Sequence, residues 1–311
     1  MPTAAEDQSG PTRRVVESLG IEHELDAPLA RRTWYGLGGF AQVLAHPANV
    51  QQLSALAAAC HGTGIAVRVL GSGANLLVPD AGVDGIIVTL DKLAFRQVDL
   101  DGHVVTAGAG YKLPRLVTKT VKAGLAGLEP LAGIPATIGG AVRINAGSAY
   151  GHIGQTVRRV QLMDATGHTY YRDRDDLVFA YRRTNIVAPF ILEARFELAE
   201  HDPEALMKRV KKIFLYKKTT QPLTGRSAGC VFRNPASPPD GPGGAAGELI
   251  DRAGLKGFRI GEAEVSERHA NFIIAHDGCT ASNVLAVIEH VEETVLNRYG
   301  VELERELVVW R

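Results

Sequence analysis

Cysteine is scarce in this chain of 311 residues, which contains three: Cys60, Cys230 and Cys279. They are odd in number and widely spaced, and none belongs to a C-x-x-C pair. The sequence therefore predicts neither a disulfide framework nor a zinc or dithiol site. Unpaired cysteines in such low number are typical of proteins from reducing compartments. We expect no bound metal and a cytoplasmic location.

Net charge and long apolar runs are lacking as well. Lys and Arg together number 34, and so do Asp and Glu, so the formal net charge is zero. A neutral chain has no basic field for a nucleic-acid backbone, and any anion must be bound locally. No apolar run reaches the roughly 18 residues that span a bilayer, and the N-terminal stretch lacks the apolar core of a secretory signal. We expect a small-molecule ligand, and neither nucleic-acid nor membrane partners.

Glycine, by contrast, is abundant at 34 residues, and two glycine-rich loops stand out. The first loop follows a predicted strand and consists of Gly71, Ser72, Gly73, Ala74, Asn75 and Leu76. The second lies in the segment AGIPATIGGAV and includes Gly133, Ile134, Pro135, Thr137, Gly139 and Gly140. Leu76 occupies the third glycine position of a Rossmann fingerprint and no helix opens there, so that fingerprint fails, and no P-loop motif is present. Either loop alone indicates tight turns. The two in order favour backbone amides that bind one pyrophosphate.

Hydrophobic periodicity and capping residues predict the main elements. The expected helices cover residues 15–25, residues 50–60 after an Asn49 cap, residues 203 to about 220 after an Asp202 cap, and residues 280–299 between Thr280 and Gly300. Alternating strands around Asp101-Gly102 predict a β-hairpin. A last strand is expected over residues 306–310. These elements indicate an α+β protein with a mainly antiparallel sheet.

Eight segments run through nearly the whole chain in this order: TWYGLGG, VLGSGANLLV, LAGIPATIGGAVRINAGSAYG, FAYRRT, TQP…SAGCVFRNP, AGLKG, GEAEVSERHANFII and GVELERELVVW. Together they resemble the UDP-N-acetylenolpyruvoylglucosamine reductase family, flavoenzymes of bacterial cell-wall precursor synthesis. The resemblance covers about residues 15–310. It implies an α+β, PCMH-type (vanillyl-alcohol-oxidase-like) FAD-binding fold in two subdomains, plus a smaller α+β substrate-binding domain. The chain lacks the extra tyrosine loop of one subclass, which indicates the shorter subclass.

The resemblance also implies a domain division and a set of ligands. The expected division is a tail at 1–14, FAD subdomains at 15–90 and 91–218, a substrate domain at 219–300 and a returning strand at 301–311. FAD is expected to be bound non-covalently along the two glycine loops, with NADPH as co-substrate. The expected substrate is a UDP-sugar enolpyruvyl ether, and the protein is expected to be a monomer of the bacterial cytoplasm.

Three residues acquire catalytic roles from the resemblance. Arg182 aligns with the family's arginine and would bind the substrate carboxylate through its forked donors. Cys230 stands where most relatives have serine and would protonate an enolate-like carbon, since a thiol ionises far more readily than an alcohol. Glu306 aligns with the family's terminal glutamate, which stabilises the enol form or relays its proton. Arg305 replaces a common proline, so Glu302 and Glu304 stay open as alternatives.

Further positions follow by alignment with the family. Residues expected to contact the substrate are Tyr181, Lys218 (with Lys217 as the alternative), Asn234 and His269. Ala74 replaces a serine and Ala136 a glycine of the family's loops, which affects FAD affinity more than the ability to bind it. Two other readings stay open: a flavin oxidase or dehydrogenase of the same fold that acts on an alcohol, and a non-catalytic flavin-binding module.

Overall fold

We describe residues 10–235 and 244–311 of the protein in a computed structural model. These residues form two compact units that alternate along the chain. Unit 1 contains residues 10–27, 41–71 and 84–213, and unit 2 contains residues 28–40, 72–83, 214–235 and 244–311. A division into two units does not test the finer domain boundaries expected from the sequence, which stay a prediction.

The described residues contain seven α-helices and twenty short or medium strands. The helices are α1 Gly10–Ser18, α2 Val50–Cys60, α3 Leu113–Lys122, α4 Ile138–Arg143, α5 Pro203–Thr220, α6 Ala246–Arg252 and α7 Ala281–Tyr299. The strands are β1 Glu22–Pro28, β2 Phe40–His46, β3 Val67–Leu70, β4 Leu76–Leu77, β5 Val83–Thr89, β6 Val98–Asp101, β7 Val104–Gly108, β8 Leu125–Ala126, β9 Gly147–Ser148, β10 Gly151–His152, β11 Val157–Met163, β12 Thr169–Asp173, β13 Phe179–Ala180, β14 Arg183–Thr184, β15 Phe190–Glu197, β16 Ala199–Glu200, β17 Arg259–Ile260, β18 Ala263–Val265, β19 Ile273–Ala275 and β20 Val308–Val309.

Unit 1 is built on two sheets. One has the order β1-β2-β5-β3, in which β3 and β5 run parallel. The other is antiparallel throughout, with the order β12-β11-β15-β7-β6. Helix α4 lies against β15 and β7 of the second sheet, and the fully buried Leu53 of α2, Leu116 of α3 and Ile138 of α4 belong to one shared core. Each such buried aliphatic side chain contributes about 1.5–3 kcal/mol to folding.

The capping residues of unit 1 behave as their sequence predicts. The Asn49 side chain accepts a hydrogen bond from the Gln52 amide at 2.9 Å, and α2 starts at the next residue. Asp202 accepts from the Ala205 amide at 2.8 Å, where α5 begins with Pro203. The hairpin is also confirmed, because Asp101 pairs with Val104 across a two-residue loop.

The start of the chain corrects one expectation. Helix α1 begins at Gly10 and ends at Ser18, so residues 10–14 are helical and not part of a tail, and residues 22–25 belong to β1 rather than to a helix. Pro11 suits the first turn of a helix because its φ is already helical. An i,i+4 pair between Arg13 and Glu17 supports the same helix at 2.8 Å. Residues 1–9 lie outside the described residues.

Unit 2 is organised around α7, whose predicted bounds are confirmed. Thr280 caps its N-terminus and Gly300, in the left-handed conformation with φ of 66°, ends it. Its apolar stripe packs against α6 and the sheet β17-β18-β19, and the buried members are Val284, Val287, Ile288, Val291 and Val295. A separate parallel pair joins β20 to β4. The strand at the chain's end is thus present, although shorter than predicted.

Asp80 provides a second anchor at the N-terminus of α7. Its carboxylate accepts hydrogen bonds from the Ala281 amide at 2.7 Å, the Ser282 amide at 2.9 Å and the Ser282 hydroxyl at 2.7 Å. Partial desolvation raises the pKa of Asp80, but the hydrogen bonds outweigh it and hold that pKa below its usual range. A carboxylate at this position also interacts favourably with the helix dipole.

Asp80→Asn is therefore expected to lower the free energy of unfolding by about 1 kcal/mol at pH 7. Because the pKa of Asp80 is lower in the folded than in the unfolded protein, its stabilisation is complete above about pH 4 and is lost as the pH falls through the folded-state value. Urea unfolding at pH 7 and at pH 3 measures the change. Asp277→Asn, at an exposed ion pair with Arg226, is the control. A deficit of the same size at both pH values would contradict the assignment.

Candidate active site

The first glycine loop packs against the chain's own backbone in unit 2. Gly73 has a φ of 63°, and a Cβ added to it would lie 2.0 Å from the Arg32 carbonyl oxygen. The Trp34 amide donates to the Gly73 carbonyl at 3.1 Å. The close approach of residues 32–34 therefore explains why residue 73 is a glycine. No contact with a ligand is needed to explain it.

Gly73→Ala is expected to lower the free energy of unfolding by about 2–3 kcal/mol, because both the backbone conformation and the space exclude a side chain. Urea unfolding measures the loss. Gly64→Ala is a matched control: Gly64 also has a positive φ, of 80°, but a Cβ there would meet no atom within 4 Å. Conformational strain alone costs about 1 kcal/mol. Equal losses in the two variants would show that the contact with Arg32 is unimportant.

The second glycine loop lies in unit 1 and leads into α4. The Thr137 hydroxyl accepts from the Gly140 amide at 3.3 Å and caps this short helix. The amides of Ile138 and Gly139 donate to the carbonyls of Tyr111 and Ala109, both at 2.9 Å. The Gly139 amide is thus engaged within the protein. Its lack of a side chain permits the close approach of Ala109, whose Cβ would lie 2.9 Å from a Cβ on Gly139.

Gly71 brings the edge of the first loop next to the second. A Cβ on Gly71 would lie 2.9 Å from the Thr137 hydroxyl oxygen, and a Cβ on Gly140 would lie 3.3 Å from it. Gly71 and Gly140 are both exposed. The result is an accessible stretch of main chain without side chains around one hydroxyl group. Such a surface fits a diphosphate-containing cofactor, which backbone amides and hydroxyl groups bind without formal charge.

Arg182 lies in a strained turn of unit 1. Tyr181 and Arg182 connect β13 to β14, and Arg182 adopts a left-handed φ of 53°. Its guanidinium donates to the Gly147 carbonyl at 2.9 Å and lies 5.3 Å from the centre of the Tyr181 ring. Arg182 is half-buried and Tyr181 is exposed. The Gly147 carbonyl and the Tyr181 ring thus orient the guanidinium, whose forked donors are suited to bind a carboxylate.

Cys230 lies in unit 2 after Gly229, which has a φ of 79°, and its side chain is half-buried. Asn271 fixes the residues that follow. Its carbonyl accepts from the Val231 amide at 2.9 Å, and its carboxamide both accepts from the Phe232 amide and donates to the Phe232 carbonyl at 2.8 Å. Burial raises the pKa of Cys60, which lies in the core, and that of Cys279.

Asn271 was missed by sequence reasoning. A signal was available in the segment RHANFII, where a carboxamide stands between an alanine and an apolar run that predicts a buried strand. A polar side chain buried in that context needs hydrogen-bond partners. Its partners lie about 40 residues away in sequence, which no local pattern reveals.

The segment with the three candidate glutamates lies beside Cys230 in unit 2. Arg305 forms an antiparallel bridge with Phe232, and the Glu306 amide donates to the Val231 carbonyl at 2.7 Å. Asn75 donates to the Glu306 carbonyl at 3.0 Å. The main chain of Glu306 is thereby tied to the residue next to Cys230.

The neighbours of Glu306 have other partners. The Glu304 carboxylate pairs with Arg233, and Glu302 is exposed. Arg305 makes two hydrogen bonds of 2.6 Å to Glu292 on α7. The hydrogen bonds of the bridge between Arg305 and Phe232 are made by Glu304 and Glu306, the residues on either side of Arg305. The main-chain amide of Arg305 therefore takes no part in the bridge.

The residues expected to contact substrate differ in accessibility. Asn234 is exposed and accepts from the Ala246 amide at 3.0 Å, at the start of α6. His269 is half-buried; desolvation lowers its pKa below the usual value, so it is neutral at pH 7. Lys218 is exposed near the end of α5, whereas Lys217 is buried. The substrate contact of Lys218, with Lys217 as the alternative, stays a prediction.

Residues 10–235 and 244–311 contain no group of three or more side chains suited to hold a metal ion. Within the same residues, no helix combines the length and the hydropathy that crossing a bilayer requires.

Comparison with protein families gives two matches that together cover most of the chain. Residues 221–310 match the UDP-N-acetylenolpyruvoylglucosamine reductase C-terminal domain. Residues 41–171 match an FAD binding domain. The second match includes both the loop around Gly71 and the loop around Thr137.

Similar proteins cover nearly the full length. UDP-N-acetylenolpyruvoylglucosamine reductase from Moorella thermoacetica is 39% identical over 293 residues, 94% of each chain. The enzyme of the same name from Heliobacterium modesticaldum is 41% identical over 91% of this chain and 88% of its own. The crystal structure of the enzyme from Thermus caldophilus superposes with a TM-score of 0.78 at 35% identity, covering 94% of this chain and 99% of that one. These matches confirm the α+β, PCMH-type FAD-binding fold with its additional C-terminal domain.

Proposed function

Since the chain belongs to the UDP-N-acetylenolpyruvoylglucosamine reductase family, we propose that Arg182, Cys230 and Glu306 carry out its reaction. The chain is an oxidoreductase of peptidoglycan precursor synthesis, with FAD as cofactor and NADPH as co-substrate. It reduces the enolpyruvyl ether of UDP-N-acetylglucosamine to UDP-N-acetylmuramate. Its substrate is accordingly a small UDP-sugar.

FAD, when bound, supplies the hydride that NADPH has delivered to it. We propose that the two glycine loops contact this cofactor through Gly71, Ser72, Gly73, Ala74, Asn75, Leu76, Gly133, Ile134, Pro135, Thr137, Gly139 and Gly140. The exposed main chain around the Thr137 hydroxyl group supports this proposal. Gly73 and Gly139 contribute through backbone shape, because close contacts with Arg32 and Ala109 already account for their missing side chains.

Arg182 would bind the carboxylate of the enolpyruvyl group. Hydride addition to the terminal carbon of the C=C bond shifts the π electron pair onto the adjacent carbon and its carboxylate. The guanidinium gains interaction energy as this charge develops, which lowers the barrier. The exposed ring of Tyr181 beside it would line the same pocket.

Cys230 would complete the reduction by transferring its thiol proton to the carbon that carries the enolate charge. One S–H bond breaks and one C–H bond forms, and the thiolate is then reprotonated from water. Glu306 would stabilise the enol form or relay the proton. Lys218, Asn234 and His269 would contact the sugar-nucleotide part, and His269 would do so as a neutral hydrogen-bonding group.

We also propose a monomer in the bacterial cytoplasm. The three cysteines in no disulfide pattern and the absence of a membrane-crossing helix among the described residues agree with this location.

The observation that carries the catalytic assignment is the hydrogen bond from the Glu306 amide to the Val231 carbonyl, which joins the backbone of Glu306 to the residue next to Cys230. Anaerobic stopped-flow absorbance tests the function. NADPH should bleach the flavin, and the enolpyruvyl substrate should restore its colour. Bleaching without reoxidation by this substrate would overturn the proposal, and bleaching by an alcohol would favour an alcohol dehydrogenase of the same fold.

A further inference from the structure

The turn that carries Arg182 is held from both ends. Non-glycine residues seldom adopt the left-handed conformation, and surrounding contacts must offset its strain. Before the turn, the Ala180 carbonyl accepts from the Asn145 side chain at 2.7 Å. After it, the Thr184 hydroxyl donates to the Arg143 carbonyl at 3.0 Å. Both ties lead to the C-terminal end of α4.

Asn145 is itself an unusual residue. It is left-handed, with a φ of 48°, and only 2% exposed. Its amide donates to the Val142 carbonyl at 3.1 Å, and the Ala146 amide donates to the Ala141 carbonyl at 2.8 Å. These bonds form a left-handed cap of α4, a position that asparagine and glycine favour. Capping explains the backbone of Asn145 but not the burial of its side chain.

The carboxamide of Asn145 has one orientation. Its oxygen accepts from the Gly154 amide at 3.1 Å, and a backbone amide is a donor only. Its nitrogen must then face the Ala180 carbonyl. His152 lies 2.9 Å from the same oxygen and donates from Nδ1. A group with one donating and one accepting end is therefore required at this position.

One hydrogen-bond partner of Asn145, His152, belongs to the strand pair that contacts the Arg182 guanidinium. His152 pairs with Gly147 in the β9–β10 ladder, and the Gly147 carbonyl accepts from the Arg182 guanidinium. Desolvation, then the charges of Arg174 and Arg182, lower the pKa of His152, so it is neutral at pH 7. Asn145 thus contacts the backbone before Arg182 and, through His152, the strand pair that receives its guanidinium.

We propose that Asn145 is a positioning residue for Arg182, which sets the turn so that the guanidinium meets the substrate carboxylate. This inference rests on the proposed role of Arg182. It assigns no contact with substrate or cofactor to Asn145 itself.

The test is Asn145→Asp in the FAD-loaded enzyme. Aspartate keeps the shape and the accepting oxygen but presents a second oxygen to the Ala180 carbonyl. Reoxidation of the reduced flavin by the enolpyruvyl substrate is expected to slow by about 10- to 100-fold. Flavin reduction by NADPH is expected to change by less than about threefold, because it does not use the carboxylate contact.

Asn185→Asp is the matched control. The Asn185 carboxamide likewise accepts from a backbone amide, that of Val178, at 3.0 Å and donates to a carbonyl, that of Asp176, at 2.9 Å. Its two hydrogen-bond partners, Asp176 and Val178, precede β13 and do not belong to the turn that carries Arg182. The control should leave both half-reactions within about twofold of the native rates. Equal slowing by the two variants would overturn the proposal.

Asn145→Gly provides a second variant that keeps the helix cap, since glycine is the preferred residue there. It removes the carboxamide while the backbone keeps a conformation that glycine adopts readily, and it should slow reoxidation as the aspartate variant does. Native reoxidation in this variant would overturn the proposal even if Asn145→Asp did not fold.

A double-mutant cycle with Arg182→Ala separates this proposal from the function on which it rests. If Asn145 acts through Arg182, Asn145→Asp should slow reoxidation by less than about twofold in the Arg182→Ala background. Full additivity would overturn the positioning role alone. Native reoxidation in Arg182→Ala itself would instead overturn the proposed role of Arg182.

Discussion

Cys230→Ala is expected to slow reoxidation of the reduced flavin by the enolpyruvyl substrate by about 10²–10⁴-fold, the usual contribution of a positioned general acid. The hydride and the proton must both reach the C=C bond, and alanine has no proton to give. Flavin reduction by NADPH should stay near the native rate, because that half-reaction needs no such donor. Anaerobic stopped-flow absorbance measures both half-reactions on the same preparation.

Two variants control this expectation. Cys230→Ser should retain substantial activity, because a hydroxyl group in the same position still offers a proton. Cys279→Ala should leave both rates close to native, since Cys279 lies in unit 2 but follows a different strand. Turnover of Cys230→Ala at the native rate would remove the cysteine from the mechanism.

Arg182→Ala is expected to lower kcat/KM for the enolpyruvyl substrate by about 10²–10³-fold, the range for loss of one preorganised donor to a developing negative charge. Arg182→Lys should recover only part of the loss, because an ammonium group cannot make the two parallel bonds of a guanidinium. Steady-state kinetics give kcat and KM separately, and the larger share of the change should fall on kcat.

Arg183→Ala tests whether this effect belongs to one residue. Arg183 is the next residue on the same hairpin and is exposed, so its loss should change kcat/KM by less than about threefold. A comparable defect in both variants would indicate a general loss of the hairpin. A defect of Arg182→Ala confined to the NADPH half-reaction would contradict a role at the carboxylate.

The elements that the sequence predicts well are those with local causes. Asn49, Asp202 and Thr280 cap helices through bonds to residues three positions away, and Gly102 turns a hairpin whose strands adjoin it. All of this information lies within a few residues. The start of α1 differs from the prediction because polar and charged residues at a chain terminus indicate a tail, whereas Pro11 and the Arg13–Glu17 pair favour a helix.

Pairings across long separations could not be predicted in this way. The parallel register of β20 with β4 joins Val308 to Leu76, and two-residue strands carry too few side chains to specify a partner. The resemblance to a family identified the residues with proposed chemistry. It did not identify Asn271 or Asn145, whose importance arises from backbone groups that the fold brings to their side chains.

The glycines show the same limit of prediction from sequence. The sequence reveals where side chains are missing but not what approaches. At Gly73 the approaching group is the Arg32 carbonyl, and at Gly139 it is Ala109. Around Thr137, by contrast, the main chain at Gly71 and Gly140 is exposed. At Gly64 an added Cβ would meet no atom within 4 Å, so a glycine in the sequence does not by itself show that another group approaches the main chain.

The alternation of the two units along the chain has a consequence for biosynthesis. Residues 28–40 and 72–83 emerge from the ribosome long before residue 214, yet their unit is completed by residues beyond it. During translation these early segments stay unfolded and accessible to chaperones and proteases, while unit 1 can already fold. A fragment that starts at residue 214 would lack them permanently, so the C-terminal part is expected to be insoluble when it is expressed alone.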